Sequence, residues 1–514
     1  MDPRHVAEQA LALAAQLAPG AQASVRAEDG RSSYTRFAVN EATGAGDTDR
    51  ASVALRIALG KRHVTASSNR ADPAALRALV ERAAAMAKLA PEDPEAMPVL
   101  GPQSYGPKGP THDEATASFP HERRGAQVRE AIDACGRAGV AGAGFFDSLA
   151  GAYVIASSAG LRAEHRETRA AFSMTARTPD GTGSGWAGTS SERAADLDPA
   201  RLAATAIAKG TRSAKPRPLP PGRYTVVLEP EAVADLMLYF VGALDARQAD
   251  EGRSFFARKG GGNRVGETLF AADINLESDP ADPALPGPAF DVEGLPVPKT
   301  RWVEGGRLRA LRYSRYWASK QGKPQTGLPR GYHLAGGRAA SVQELVKGVQ
   351  KGLLVTRFWY IRWVDPQTML LTGLTRDGLF AIERGEVAYP VRNFRFNESP
   401  AKVLANATGL TRETFRAYGG SVPLRVPALV ANDFFMASPS DAVLPHGPRR
   451  GGGAEGPRAT RPRTTRRGPR ASFRARRSRP CRRPPALAAC TPLRGPSGPG
   501  DVGQECHHLS GRPG

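Results

Sequence analysis

Four prolines stand within the seven residues Lys215–Pro221, and no regular element can run through them. Proline lacks the backbone N–H that a helix interior or a central strand needs, and its ring fixes φ. The chain of 514 residues is therefore expected to fold as separate parts on either side of this break.

Before the break, Val6, Ala10, Leu13 and Leu17 share one stripe and predict a first helix. Three alternating stretches follow, Ala23–Ala27, Tyr34–Val39 and Ser52–Leu59, which read as strands of an antiparallel meander. Asp72-Pro73 then opens a helix to about Leu89, with proline in its first turn. After a Pro- and Gly-rich connector over 91–120, a helix of about His121–Arg137 leads into strands between Val140 and Arg177. Meander and helix thus occur twice. This predicts an α+β domain over 1–214, its helices packed on a mostly antiparallel sheet.

After the break come a strand, Tyr224–Leu228, and a helix from Pro230 to about Ala246. Strand patterns then dominate: Phe290–Val292, Leu308–Tyr313, Leu353–Trp363, Leu379–Ile382, Val387–Val391 and Leu424–Phe435, with one helix of about Val342–Gln350. A β-rich domain over 222–445 is the expectation.

Charge sets the last 68 residues apart. The chain carries a formal +21, but residues 447–514 alone hold 16 arginines, no lysine and three acids. With 12 glycines and 11 prolines, this tail has too little apolar surface to offset chain entropy and is expected to be disordered. Only Cys135 of the four cysteines lies outside the tail, which fits a reducing compartment. No uncharged apolar run reaches the roughly 18–20 residues that span a bilayer, so a cytoplasmic protein without membrane contact is expected.

Few motifs carry chemistry. Gly183–Gly188 matches GxGxxG, but Thr189–Pro199 separates it from the next helical pattern, so it reads as a glycine-rich loop and not a dinucleotide turn. Lys259–Arg264 lacks the ending of a phosphate loop and reads as a mobile surface loop. No GxSxG elbow occurs. Between Arg166 and Pro445 stand one histidine, His333, and no cysteine, too few for an ordinary zinc site. The helix after Pro230 is apolar nearly all round, through Leu236, Met237, Tyr239, Phe240 and Leu244. Glu229, Glu231 and Asp235 near its start read as charges that complement the helix dipole. Arg376, Asp377, Asn397, Glu398 and Ser399 are polar residues of the β-rich domain. They are candidates to line a peptide cleft or meet a partner, or else turn chemistry, since Asp377-Gly378 is a turn signal.

From Gly222 to Val443 the chain resembles the TldD/PmbA, or modulator-of-gyrase, family. The resemblance is carried by Tyr224-Thr-Val-Val-Leu-Glu-Pro-Glu-Ala-Val, by Leu295-Pro-Val-Pro-Lys-Thr-Arg through Tyr313-Ser-Arg-Tyr-Trp-Ala, and by Thr372-Gly-Leu-Thr-Arg-Asp-Gly-Leu-Phe-Ala-Ile-Glu-Arg-Gly-Glu-Val. Arg395-Phe-Asn-Glu-Ser-Pro and the ending from Val426 to Val443 add to it, and looser likeness in the N-terminal domain extends it to roughly residues 5–443. In TldD-type members a helix carries HExxxH, which binds zinc with a later cysteine and supplies a glutamate base. The matching helix here reads Leu238-Tyr239-Phe240-Val241-Gly242-Ala243. Leu238 and Ala243 stand at the histidine positions, Tyr239 at the glutamate, and the cysteine is missing.

The resemblance therefore implies the PmbA (TldE) type. Such a chain has no metal or other cofactor and no catalytic residue of its own, and zinc is expected only in a TldD-type partner. The two would form a heterodimeric metallopeptidase acting on unfolded or short peptides. The alternatives are a self-sufficient peptidase with an unrecognised site, and a nucleic-acid-associated modulator. Nucleic acid would be met only non-specifically, through the basic tail.

Overall fold

Alternating small apolar residues build the first sheet. The computed structural model describes residues 1–418 and 422–440. The arginine-rich stretch 447–514, expected to be disordered, lies outside the described residues. The first part runs α1 (Pro3–Leu17), β1 (Gln22–Ala38), β2 (Glu41–Leu59), β3 (Arg62–Ser68), α2 (Pro73–Leu89), α3 (Glu114–Ala117), α4 (His121–Arg137), β4 (Ala141–Ser157), β5 (Arg162–Arg177), β6 (Ser184–Ser191) and α5 (Pro199–Arg212). Its six strands form one antiparallel sheet in the order β3-β2-β1-β4-β5-β6. Val25, Val53, Leu55 and Ile57 of one half pack under Ala7 and Ala10 of α1 and Leu76, Leu79 and Val80 of α2. Phe146, Phe172 and Met174 of the other half pack under α4 and α5. Asp2, Asp72 and Asp198 each precede a proline and accept an N–H from the first turn of α1, α2 and α5, which fixes where those helices begin.

Two expectations change here. Ala23–Ala27 and Tyr34–Ala38 belong to one continuous strand, because the polar residues between them pair with β2 on one side and β4 on the other, while Val39 lies in the turn that follows. Gly183–Gly188 is not a loop, since Ser184 to Gly188 lie in β6. A Cβ at Gly185 would stand 2.2 Å from the Gly210 nitrogen, so the glycines serve close packing of β6 on α5.

The second part runs β7 (Gly222–Leu228), α6 (Pro230–Gly242), α7 (Ala246–Asp250), β8 (Asn275–Ser278), β9 (Thr300–Glu304), β10 (Arg307–Leu308), α8 (Arg315–Gln321), β11 (Tyr332–Ala335), α9 (Val342–Lys347), β12 (Lys351–Asp365), β13 (Leu370–Glu383), β14 (Glu386–Pro390), β15 (Phe394–Glu398), α10 (Pro400–Ala405), β16 (Ala407–Leu410), β17 (Phe415–Arg416), β18 (Leu424–Val426) and β19 (Leu429–Pro439). Strands β12, β7, β19, β15 and β13 pair in that order, and β13 pairs back onto β12, so the five close into a barrel. Closure removes exposed edges. Phe358, Phe396 and Phe434 meet across the interior with ring centroids 4.6–5.7 Å apart. A second sheet has the order β10-β9-β8-β11-β18-β17.

The β-rich expectation for this part holds, with local differences. Phe290 makes a single bridge to Pro296 and no strand, and of Leu308–Tyr313 only Leu308 lies in one. Lys259–Arg264 is a turn pinned by a bridge between Ala257 and Asn263. No helix among the described residues is long and apolar enough to cross a membrane.

Side chains from the two parts interlock. Arg247 grips both carboxylate oxygens of Glu95 at 2.6 and 2.7 Å, and the Tyr105 hydroxyl donates to the Gly294 carbonyl at 2.8 Å. Thr189 donates to the Arg416 carbonyl at 2.9 Å. The Arg247 fork is half-exposed, so Glu95→Gln is expected to lower stability only slightly in urea denaturation. The loss should shrink in about 1 M salt, where screening acts within a few ångströms.

Candidate functional site

Helix α6 leaves one polar stripe on an otherwise apolar surface. Ala232, Val233, Leu236, Met237, Phe240 and Val241 are buried in the core. Glu231, Asp235 and Tyr239 recur at every fourth residue, so they stack along one face. That face meets β12. Asp235 accepts the Phe358 N–H at 2.8 Å, and the Tyr239 hydroxyl donates to the Ile361 carbonyl at 2.8 Å. Glu231 accepts the Tyr418 N–H at 3.3 Å. Glu229 stands at the N-cap without a capping bond and pairs instead with Lys209 of α5.

Both acids of the stripe lie deep in the protein yet keep partial contact with solvent. Burial, with Asp235 as a neighbouring charge, raises Glu231 to about 7. Burial raises Asp235 to about 6, against the pull of Arg357. The sequence reading of these acids as helix-start charges is thus incomplete. They form a pair of neighbouring buried acids beside Arg357.

Arg357 of β12 lies near both acids and pulls against their upward shift, and Arg376 of β13 stands beside Arg357. The two arginines are directly opposed partners in the strand ladder. The Arg357 guanidinium lies 4.5 Å from the Trp186 ring centre, and that of Arg376 lies 4.2 Å from Trp359. Asp377 sits between them, 2% exposed, with its carboxylate 4.0 Å from Arg357 and 3.5 Å from Arg376. Ser184 of β6 donates to Asp377 at 2.6 Å, which ties the first part to the second. Asp377 and Gly378 have φ of 55° and 126°. This left-handed pair makes no chain reversal. It makes a bulge within β13, where the ladder slips between Val355 and Arg357.

The other candidates lie elsewhere. Asn397, Glu398 and Ser399 line an open groove of about 570 Å³ with Arg223, Lys402 and Phe435. Glu398 accepts the N–H groups of Ser399 and Phe435 at 2.9 and 3.0 Å, and Ser399 donates to the Thr368 carbonyl at 2.9 Å. Asn397 pairs with Thr372, so Arg376 stands four residues further along β13, roughly 13 Å away. The structure therefore brings Arg376 and Asp377 together, and separately groups Asn397, Glu398 and Ser399. His333 is half-buried between Asp282 at 3.6 Å and Thr414 at 3.1 Å.

Sequence reasoning missed Arg357 and Ser184 as neighbours of Arg376 and Asp377, Trp186 as the ring under Arg357, and Lys209 as the partner of Glu229. The available signal was the spacing of Glu231 and Asp235, two acids one turn apart on a helix with apolar residues on every other side.

The positions matching HExxxH do not fit a metal. Leu238 and Ala243 offer only hydrocarbon, and the Tyr239 phenol is committed to the Ile361 carbonyl. Among the described residues no group of three or more His, Cys, Asp or Glu stands close enough to hold a metal ion.

Comparison with known proteins places this geometry among relatives. Residues 221–438 match the model of the PmbA/TldA metallopeptidase C-terminal domain, residues 23–87 that of its domain 1, and residues 116–213 that of its central domain. A metalloprotease of Methanothermobacter thermautotrophicus is 25% identical over 280 residues, covering 49% of this chain and 58% of that protein. The chain thus spans somewhat over half the length of this curated relative. The crystal structure of TldE from Thermococcus kodakarensis superposes with a TM-score of 0.75 at 18% identity, over 84% of this chain and 99% of that one, which shows a shared fold.

Proposed function

This chain belongs to the PmbA/TldD metallopeptidase family, and we propose that within it the chain serves as the subunit that holds no zinc. In this reading a zinc-binding paralogue of the TldD type carries out cleavage of unfolded or short peptides. The present chain completes the heterodimer and shapes the cleft around α6. The observation that carries the reading is the stretch Leu238–Ala243, where hydrocarbon side chains and a committed phenol occupy the positions of two ligands and a base. A cytoplasmic setting belongs to the same reading. It is supported by Cys135, a buried free thiol and the one cysteine among the described residues.

Co-expression with an HExxxH paralogue tests it. A stable complex is expected, with peptidase activity that neither chain has alone, and the purified chain is expected to hold no stoichiometric zinc. About one zinc per chain by elemental analysis, with chelator-sensitive cleavage by the chain alone, overturns the reading.

One observation favours the self-sufficient peptidase as a second reading, namely the Glu231–Asp235 pair with both groups raised toward neutrality. Under it, the isolated chain cleaves peptides and Glu231→Gln abolishes the activity.

A further inference from the structure

Arg357 and Arg376 oppose each other across neighbouring strands and share one carboxylate, that of Asp377. Like charges directly opposite in a ladder repel. The nearest carboxylate, Asp377, stays 3.5–4.0 Å from both and is itself bonded to Ser184. Arg357 Nε is buried with no hydrogen-bond partner. The two guanidinium groups nevertheless keep partial solvent access, with side-chain exposures of 16% and 22%. Stacking on Trp186 and Trp359 holds their planes in place. Two oriented forks with open donors match the geometry of a planar anion.

We propose that Arg357 and Arg376 anchor the carboxylate of a bound peptide, with Trp359 flanking the residue next to it. The choice of a peptide as ligand rests on the family reading above. The surroundings favour it over a nucleic acid. Asp377 lies beside both arginines, so successive phosphates of a polyanion meet repulsion, whereas one carboxylate followed by neutral backbone does not. The carboxylate is either the chain terminus or an acidic side chain, and both present the same two oxygens.

The test is calorimetric binding to the full chain with three N-acetylated pentapeptides of alanine and glycine. One ends in a free carboxylate, one is its amide, and one is an amide with a central aspartate. The free-acid peptide is expected to bind at least about tenfold more tightly than its neutral amide, a difference of about 1.4 kcal/mol. Tight binding of the aspartate amide assigns the anchor to acidic side chains, and its failure assigns it to the terminus. Arg376→Gln and Arg357→Gln are each expected to remove this discrimination. The basic tail is common to every variant, so its background cancels. Arg376→Gln is also expected to change the melting temperature little, because relief of the like-charge contact with Arg357 offsets the loss of the ion pair with Asp377, which keeps Arg357 as a partner. Equal binding of acid and amide, no peptide binding below about 1 mM, or binding only of a single-stranded oligonucleotide overturns the proposal. So does a melting temperature that falls in Arg376→Gln while discrimination persists. The assay reads binding by the isolated chain, so its outcome is separate from co-purification or activity with a paralogue.

Discussion

Asp377→Ala is expected to destabilise the protein by about 3 kcal/mol. The residue is 2% exposed and is the negative charge between two opposed guanidinium groups. Removing it leaves Arg357 and Arg376 facing each other with nothing between them, and breaking a buried ion pair on one side costs more than the pair was worth. It also removes the acceptor of the Ser184 hydroxyl, and with it a link between the two parts of the fold. A smaller share comes from the backbone. Asp377 has φ of 55°, a conformation that aspartate and asparagine tolerate better than alanine. Asp377→Asn keeps the backbone preference and the acceptor and loses only the charge, so the two variants separate these contributions. The decisive measurement is a double-mutant cycle with Arg376→Gln, read by denaturant unfolding at low salt. Asp377→Ala is expected to cost at least about 1 kcal/mol less when Arg376 is already neutral. Equal costs in the two backgrounds would mean that Asp377 acts through its backbone bulge and not through charge.

Much of the fold was legible because local chemistry decided it. Asp72-Pro73 sets the start of α2, and the helix ends at Leu89 as its pattern does. The helix expected at His121–Arg137 is α4 to the residue. The misreadings occur where a neighbour outweighs the local signal. Ala23–Ala27 and Tyr34–Val39 read as two strands, yet Gly30 between them is paired on both sides, with Arg50 and Gly151, and the strand runs through. Gly183–Gly188 reads as a loop, yet its missing side chains let β6 lie against α5. The arginine pair was half legible. Arg376 and Asp377 stood out as polar residues in an apolar strand. Their partner Arg357 is 19 positions earlier, and only the ladder register, with its slip at the bulge, sets the two arginines opposite each other. Ser184 comes from the other side of the proline break, and no periodicity within the second part points to it.

Glu231→Gln is expected to stabilise the chain by about 2 kcal/mol at pH 8 and to change little at pH 4. An ordinary glutamate titrates near about 4.3, whereas burial and Asp235 raise Glu231 to about 7. Between those values the folded state holds a proton that the unfolded chain has released. The stability this group contributes is therefore complete below about pH 4 and is lost as pH rises through about 7. Above that, folding must keep a carboxylate charged beside another one where little solvent reaches it. Glutamine removes the charge and still accepts the Tyr418 N–H. The full shift would be worth more than 3 kcal/mol at about 1.4 kcal/mol per unit. Partial solvent contact reduces it to about 2 kcal/mol. Glu167 works in the other direction. Burial alone would raise it, but His165 and Arg330 draw it down to about 2. Its contribution is present above about pH 4.5 and fades as pH falls toward 2. These two groups make the stability of the wild type highest in mild acid. In Glu231→Gln the alkaline side of that profile should flatten while the acid side keeps its slope. Thermal unfolding at intervals from pH 4 to pH 8 gives the answer. A variant whose melting temperature runs parallel to the wild type across that range would show that Glu231 is solvated in the folded chain, and that α6 carries no coupled acid pair.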